Sequence, residues 1–251
     1  GEEIRRLMKE RKIEEQFVRV KKGISRINVK LRSLQVGENG EKTVSEESEI
    51  NGMGPGIKQD DIDALYEKLD KIQDGDILVL AGSIPSVMPE TMYSDIMEHL
   101  QGKDIKIVVD ATKDLLVNVL KYKPFLIKPN NHELGEIFNV ELNTRDEVIP
   151  YAKKLQEMGA QNVLISMAGQ GAVLVSDNNE VIQSKAPKGE VVNSVGAGDS
   201  MVAGFLAGYL ETNDYSKAFI NGLCCGSASA FQVGLATKED VENIKKTLSE
   251  N

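Results

Sequence analysis

The sequence predicts an α/β fold, with a mainly parallel sheet wrapped by helices and a small separate sheet near its start. Three observations carry that prediction. From residue 60 onward, short β-rich runs alternate with amphipathic stretches of helix length. Residues 168–171 leave too little chain between the last two runs for a parallel crossover, so those runs should form an antiparallel hairpin. Before residue 60, Ser25 to Leu31 alternates with period two, as a half-exposed strand does.

Taken in order, Gly1 to Met8 reads as the middle of an amphipathic helix, with no initial Met and no preceding cap. An upstream part of the fold is therefore expected to be missing, and residues 1–23 are assigned to the α/β core. Residues 24–56 are assigned to a small sheet built from Ser25 to Leu31 and Ser48 to Asn51, with the turn dipeptide Asn39-Gly40 between them. The polar stretch from about 34 to 45 looks like an inserted loop. Such a sheet cannot bury its apolar face alone, so it needs a partner surface or serves as a lid. Residues 57–251 form the main core. Its candidate strands are Ile77 to Ala81, Ile105 to Asp110, Phe125 to Lys128, Val163 to Met167 and Ala172 to Ser176; its main helices are Asp60 to Lys71, Pro89 to Leu100 and Thr144 to Met158.

Composition narrows the function classes. At 27% charged and 41% hydrophobic residues the chain has a soluble globular balance. A net charge of −9 opposes non-specific nucleic-acid binding, and the basic residues from Arg5 to Arg11, with Lys21 and Lys22, read as a solvated helix face. The two cysteines, Cys224 and Cys225, are adjacent within an apolar helical pattern, where they read as small core residues suited to a reducing cytoplasm. No apolar run reaches the roughly 18–20 residues that span a bilayer, so no membrane partner is expected.

The chemistry is concentrated in Val192 to Ser200, which leads into a helix with apolar residues at Val202, Phe205, Leu206, Tyr209 and Leu210. Glycines at a helix start let backbone N–H groups face an anion, and the helix dipole adds to the attraction. Asp199 does not fit a pure anion site, because its carboxylate repels phosphate. Its natural role is to accept a proton from an attacking hydroxyl while neighbouring amides stabilise a transferring phosphoryl group. The plainer alternative is that Asp199 or Ser200 caps the helix and the glycines permit tight packing.

Asn193-Ser194-Val195-Gly196-Ala197-Gly198-Asp199-Ser200-Met201 resembles the C-terminal signature of the ribokinase-like, phosphofructokinase-B family of carbohydrate kinases. The family usually has Asp-Thr where this chain has Asn193-Ser194. The resemblance implies a ribokinase-like three-layer sandwich with a small β-sheet lid, in which Gly196, Ala197 and Gly198 form an anion hole and Asp199 is the base. Lys128-Pro129-Asn130-Asn131-His132-Glu133 resembles the family's Asn-x-x-Glu motif. That implies Asn130 and Glu133 as residues organising Mg2+, mainly through water, and Lys128 as an ATP contact. A capping box with Asn130 as cap is the structural alternative, and His132 is taken as a surface residue. Ser166 to Ala172 resembles the nucleotide-binding turn, implying Ser166, Gly169 and Gly171 at ATP. Asn221 and Gly226 would flank adenine.

Ser25-Arg26-Ile27-Asn28-Val29, Glu49-Ile50-Asn51-Gly52 and Ala81-Gly82-Ser83-Ile84-Pro85 look like the phosphosugar-kinase branch of the family. By that resemblance Arg26 and Asn28 on the lid, with Ser83, bind a sugar that already carries phosphate, which suits the guanidinium fork. Without the family, Arg26 reads as a solvated edge-strand charge. The implied reaction is ATP-dependent phosphorylation of D-fructose 1-phosphate to fructose 1,6-bisphosphate; the alternatives are a tagatose-6-phosphate kinase and a non-catalytic nucleotide or sugar-phosphate sensor. The implied partners are ATP, the phosphosugar and a second copy of the chain paired through the lid. The family's N-terminal strand with its substrate-binding Asp, and its Gly-Gly-Lys-Gly-type motif, are absent from these 251 residues.

Overall fold

The computed structural model describes residues 1–249 apart from 38, 40, 41, 83 and 86; the side chains of residues 32, 34, 36, 42–47 and 249 also lie outside the description. The chain divides into two compact units, Gly1–Ile72 with Ile84–Met92, and Gln73–Ser83 with Tyr93–Asn251. These boundaries differ from 24 and 57, since residues 1–23 group with the first unit. None of the described helices is long and apolar enough to cross a membrane.

The first unit holds helix α1 (Glu2–Glu10), strands β1 (Asn28–Val36) and β2 (Lys42–Asn51), and helix α2 (Gln59–Leu69). α1 buries none of its residues. β1 and β2 pair antiparallel from Asn28↔Asn51 to Val36↔Lys42, with an irregularity at Ser33/Leu34. This corrects the reading of 34–45 as an inserted loop: the ladder includes Leu34↔Val44 and Gln35↔Thr43. The stretch is polar and lacks apolar alternation, so it resembled a loop although its backbone pairs as strand. Val29 and Ile50 stand directly opposite each other, and both are exposed.

The second unit is built on one sheet. Its strands are β3 (Ile77–Ala81), β4 (Lys106–Asp110), β5 (Leu126–Ile127), β6 (Asn162–Ser166), β7 (Ala172–Val175) and β8 (Val181–Ser184), adjacent in that order. The pairs from β3 to β6 are parallel, whereas β6–β7 and β7–β8 are antiparallel. The expected hairpin and mixed edge are both present. β8 was not anticipated: its four residues alternate between exposed and half-buried, a short edge strand with little apolar signal.

Helices α3 (Met92–His99), α4 (Lys113–Val117), α5 (Asn131–Phe138) and α6 (Arg145–Glu157) connect the parallel strands. α6 starts where its sequence dictates. Thr144 Oγ1 accepts the Glu147 N–H at 3.3 Å, and the Glu147 carboxylate accepts the Thr144 N–H at 3.0 Å, a reciprocal cap. Val148, Ala152 and Leu155, spaced by four and three, turn inward.

Three helices follow the sheet: α7 (Ala197–Thr212), α8 (Tyr215–Ala230) and α9 (Lys238–Ser249). Asn213, at φ 51°, ends α7, and Asp214 caps α8 through the Lys217 N–H at 3.0 Å, so the two helices fold back on each other. Phe205, Phe219 and Leu223 are at most 2% exposed and join Leu126, Leu164 and Leu174 from the sheet in one core cluster. Each such side chain contributes about 1.5–3 kcal/mol by burial.

Glycines let α7 and α8 approach closely. A Cβ on Gly204 would lie 2.6 Å from Cys225 Sγ, one on Gly208 would lie 2.9 Å from Ala218 Cα, and one on Gly222 would lie 2.8 Å from the Met201 carbonyl oxygen. Cys224 is buried beside this contact, and burial pushes its thiol up to about 11, a packing residue rather than a nucleophile. Gly222→Val should therefore force the helices apart and lower stability by about 1–3 kcal/mol; the midpoint of urea unfolding measures this, and an unchanged midpoint would contradict the close crossing.

Candidate active site

Sheet polarity decides where the candidate residues gather. Four parallel strands end on the same side of the sheet, and in open α/β sheets ligands bind beyond the carboxyl ends of the strands. Asp110 is the last residue of β4, Lys128 and Asn130 follow β5, and Ser166 closes β6. The Ser166 N–H donates to the Pro129 carbonyl at 3.2 Å, and Asn130 forms an isolated parallel bridge with Ser166. Two blocks distant in sequence thus lie side by side.

Lys128 is 6% exposed, and its ammonium lies 3.2 Å from Asp110 Oδ1. A Cβ on Gly198 would stand 3.3 Å from the same Nζ, so the ammonium lies against the first turn of α7. Burial pushes the Asp110 carboxyl above its ordinary value; Lys128 pulls it back, while Asp199 and Glu133 push it further up. The charges of Asp199 and Glu133 thus reach Asp110, which is paired with the buried Lys128 ammonium.

The start of α7 supports the chemical reading of Asp199 over the capping one. Gly196 occupies the N-cap at φ 79°, where an added side chain would be strained, and no side chain caps this helix. Asp199 is exposed in the first turn. Ser200 Oγ accepts a hydrogen bond from Ser229 Oγ at 2.8 Å, which ties α7 to α8. Of the expected anion-hole residues, Ala197 donates its N–H to the Ser194 carbonyl at 3.2 Å. The first helical bond is Ser200 N–H to Gly196 O at 2.9 Å, so the amides of Gly198 and Asp199 precede the ladder at the positive end of the dipole.

The segment leading into α7 is fixed by Asn193. Its Oδ1 accepts the Val195 N–H at 3.1 Å, its Nδ2 donates to the Val233 carbonyl at 3.0 Å, and its backbone N–H donates to Ala230 O at 3.0 Å.

Asn130 and Glu133 form the capping box that the sequence offered as an alternative. Asn130 Oδ1 accepts the Glu133 N–H, and Glu133 Oε2 accepts the Asn130 N–H, both at 2.8 Å. Among the described residues, no group of three or more His, Cys, Asp or Glu is arranged to hold a metal. Glu133 Oε1 takes no hydrogen bond from the described residues, so this carboxylate retains one oxygen for a hydrated cation. That donor set fits Mg2+, which keeps most of its waters and takes one or two carboxylates plus substrate phosphate. His132 is exposed.

Other expected residues acquire packing roles. Gly171, at φ 92°, would place a Cβ 2.0 Å from the Ser184 carbonyl oxygen, so its closeness is to its own chain. Gly169 has open space at its Cβ position. Asn221 Nδ2 donates to the Gly204 carbonyl at 2.6 Å, and a Cβ on Gly226 would lie 3.0 Å from the Ala197 carbonyl oxygen, so both belong to the α7–α8 contact. In the first unit Arg26 Nε donates to Asn28 Oδ1 at 3.0 Å. Ser83 lies outside the described residues.

The sequence reading missed Asp110, although an acid ending the buried run Ile107-Val108-Val109 at a strand's carboxyl end was the available signal. It also missed Tyr93, whose hydroxyl meets the Ala81 and Gly82 carbonyls at 2.8 and 3.0 Å and whose ionisation is pushed up by burial and by Asp110. Neither of two cavities, one of about 690 Å³ beside α1 and one of about 490 Å³ at the amino ends of β4 and β5, contains any of the expected residues. Chemistry, not concavity, locates the site.

The chain is 44% identical over 244 residues to a 1-phosphofructokinase of Bacillus subtilis, covering 97% of this chain and 76% of that protein. It is 33% identical over 240 residues to a D-tagatose-1-phosphate kinase of Bacillus licheniformis, covering 95% and 74%. A crystal structure of phosphofructokinase-2 from Escherichia coli in complex with potassium superimposes with a TM-score of 0.83 at 27% identity, covering 99% of this chain and 79% of that one. Residues 1–242 match the pfkB family carbohydrate kinases, and with the ribokinase-like sheet and the Gly-Ala-Gly-Asp start of α7 in place, the chain belongs to that family.

Proposed function

We propose that the chain transfers the γ-phosphate of ATP to the 6-hydroxyl of D-fructose 1-phosphate, giving fructose 1,6-bisphosphate and ADP. The observation that carries this reading is Asp199, exposed in the first turn of a helix that no side chain caps, next to Gly198, whose backbone meets the Lys128 ammonium. In the reaction the 6-hydroxyl oxygen bonds to the γ-phosphorus, the bond from that phosphorus to the β-phosphate oxygen breaks, and the hydroxyl proton passes to Asp199. The first-turn amides and Lys128 stabilise charge on the transferring group. When bound, Mg2+ would neutralise phosphate charge; Glu133 would hold it through water by Oε1, the oxygen outside the capping box, and Asn130 through water at Oδ1, its single side-chain oxygen, which also accepts the Glu133 N–H.

Arg26 and Asn28 are assigned to the phosphate the sugar already carries, and residues 24–56 to a lid that keeps water from the reaction. The B. subtilis relative is named for fructose 1-phosphate and the B. licheniformis relative for tagatose 1-phosphate. Both names place the first phosphate on C1. The second reading is therefore a tagatose-1-phosphate acceptor, in place of the tagatose 6-phosphate considered from sequence.

Coupled ADP release by the full-length protein with Mg-ATP tests the assignment against fructose 1-phosphate, tagatose 1-phosphate, tagatose 6-phosphate, fructose 6-phosphate and ribose. Fructose 1-phosphate is expected to give the highest kcat/KM. Asp199→Asn should lower kcat by about 10²–10⁴-fold with ATP affinity retained. Near-normal turnover in that variant would remove the base assignment, and ATP binding without turnover in the unaltered protein would favour a sensor.

A homodimer formed through the first unit's ribbon is part of the same proposal. Ile27, Val29, Leu31 and Ile50 are all exposed, a concentration of apolar surface that a partner strand face would cover. Light scattering at micromolar concentration should give twice the chain mass, and Val29→Asp with Ile50→Asp should give the monomer. A monomeric unaltered protein would reject the dimer.

A further inference from the structure

We infer that Asp110 is a positioning residue for phosphoryl transfer: its carboxylate holds the Lys128 ammonium against the first turn of α7. The inference rests on the kinase reading. It follows from geometry that the mechanism has not yet used.

A lysine ammonium is a compact charge on a flexible four-carbon stem, so the chain alone does not fix its direction. Here the register does. Val109 pairs with Ile127, so the next residue on each strand, Asp110 and Lys128, leaves the sheet at the same level. The Lys128 N–H still donates to the Val109 carbonyl at 3.3 Å, which fixes the root of the side chain. The tip is then caught between Asp110 Oδ1, at 3.2 Å, and the Gly198 backbone, where even a Cβ would come within 3.3 Å of Nζ. Strand β4, strand β5 and helix α7 thus meet at one ammonium.

Two points argue for direction over stability as the use of this pair. The side chains are 7% and 17% exposed, and a pair so buried gives little net stability once desolvation is counted. The Gly198 backbone that meets Nζ adjoins Asp199, whose charge also acts on Asp110, so Asp199 offers a competing carboxylate for the same ammonium. With Asp110 gone, Lys128 would turn toward it. Pairing with Asp199 would divert both the base and the cation from the transferring group.

The test is a double-mutant cycle on the full-length protein: unaltered, Asp110→Asn, Lys128→Gln and both together. Asp110→Asn should lower kcat on the order of 100-fold, as expected for misplaced catalytic groups, with the sugar KM changed less than about threefold. In the Lys128→Gln background the same substitution should add less than about threefold. Asp110→Glu should recover part of the loss. Affinity for a non-hydrolysable ATP analogue, and its dependence on Mg2+ concentration, supply a readout apart from turnover. Asp110→Asn should weaken analogue binding about tenfold when Lys128 is present, the weight of one charge-assisted contact, and not when it is Gln.

Multiplying losses, or a raised Mg2+ requirement on Asp110→Asn in the Lys128→Gln background, would show Asp110 acting on its own and overturn the tether. If Asp110→Asn alone does not fold, as thermal melting would reveal, Lys128→Gln and the double variant still decide the matter, since the tether requires them to match. If the unaltered protein turns over no phosphosugar, the kinase reading fails, and equal effects on analogue affinity in both backgrounds would then overturn the tether separately.

Discussion

The site depends on how closely α7 and α8 approach. Gly204 and Gly208 on α7, and Gly222 and Gly226 on α8, each omit a Cβ that would come within 3.0 Å of the other helix. The contact extends to the amino end of α7. Gly226 faces the carbonyl of Ala197, the first residue of α7, and Ser229 donates to Ser200 one turn along, so α8 supports the first turn of α7 directly. Asn221 secures the middle by donating to the Gly204 carbonyl. A helix N-terminus can bind an anion only if its amides point at a fixed place, and this contact fixes the place.

Strand direction does the complementary work. Parallel pairing from β3 to β6 gathers Asp110, Lys128, Asn130 and Ser166 on one edge, and each reaches that edge only because a buried apolar run ends just before it. There Asp110 pairs with Lys128, and the charges of Asp199 and Glu133 also act on Asp110. Negative charge of that kind repels a nucleotide phosphate unless amides, a helix dipole and a divalent cation offset it. The arrangement suits a reaction that must remove a proton from a hydroxyl beside a polyanion, where a site of lysines alone would bind phosphate without activating the acceptor.

Much of this was legible in the sequence, for identifiable reasons. β3 was read to the residue because Ile77-Leu78-Val79-Leu80-Ala81 is a continuous apolar run stopped by Gly82, and α6 to within one residue at each end because its apolar residues repeat at helical spacing. Gly196 to Asp199 was legible through its match to the family's signature, because glycine and acid at a helix start also occur as a simple cap. What escaped was set by neighbours in space. Asp110 finds its meaning from Lys128 across a strand register, and no spacing along the chain signals that pairing. Gly171 and Gly226 were assigned to a nucleotide because glycine reports only that something comes close; in the structure the Ser184 and Ala197 carbonyls come close. The outer half of the β1–β2 ribbon is polar in sequence, so period two was lost where the backbone ladder continues.

The Asn193-Ser194 pair, where the family usually has Asp-Thr, shows how a departure can be absorbed. Asn193 uses its side chain in both directions, accepting from Val195 and donating to the Val233 carbonyl. An ionised aspartate could make the first of these contacts but would oppose the second, because carboxylate and carbonyl oxygens are both acceptors. The amide thus joins the segment before α7 to the segment after α8, and the Asn193 N–H to Ala230 carbonyl bond runs the same way. Since α8 already supports the first turn of α7, this second link closes a loop of contacts around Gly196 to Asp199. The departure falls in the scaffold that holds the glycines, and Gly196 to Asp199 keep the family's form.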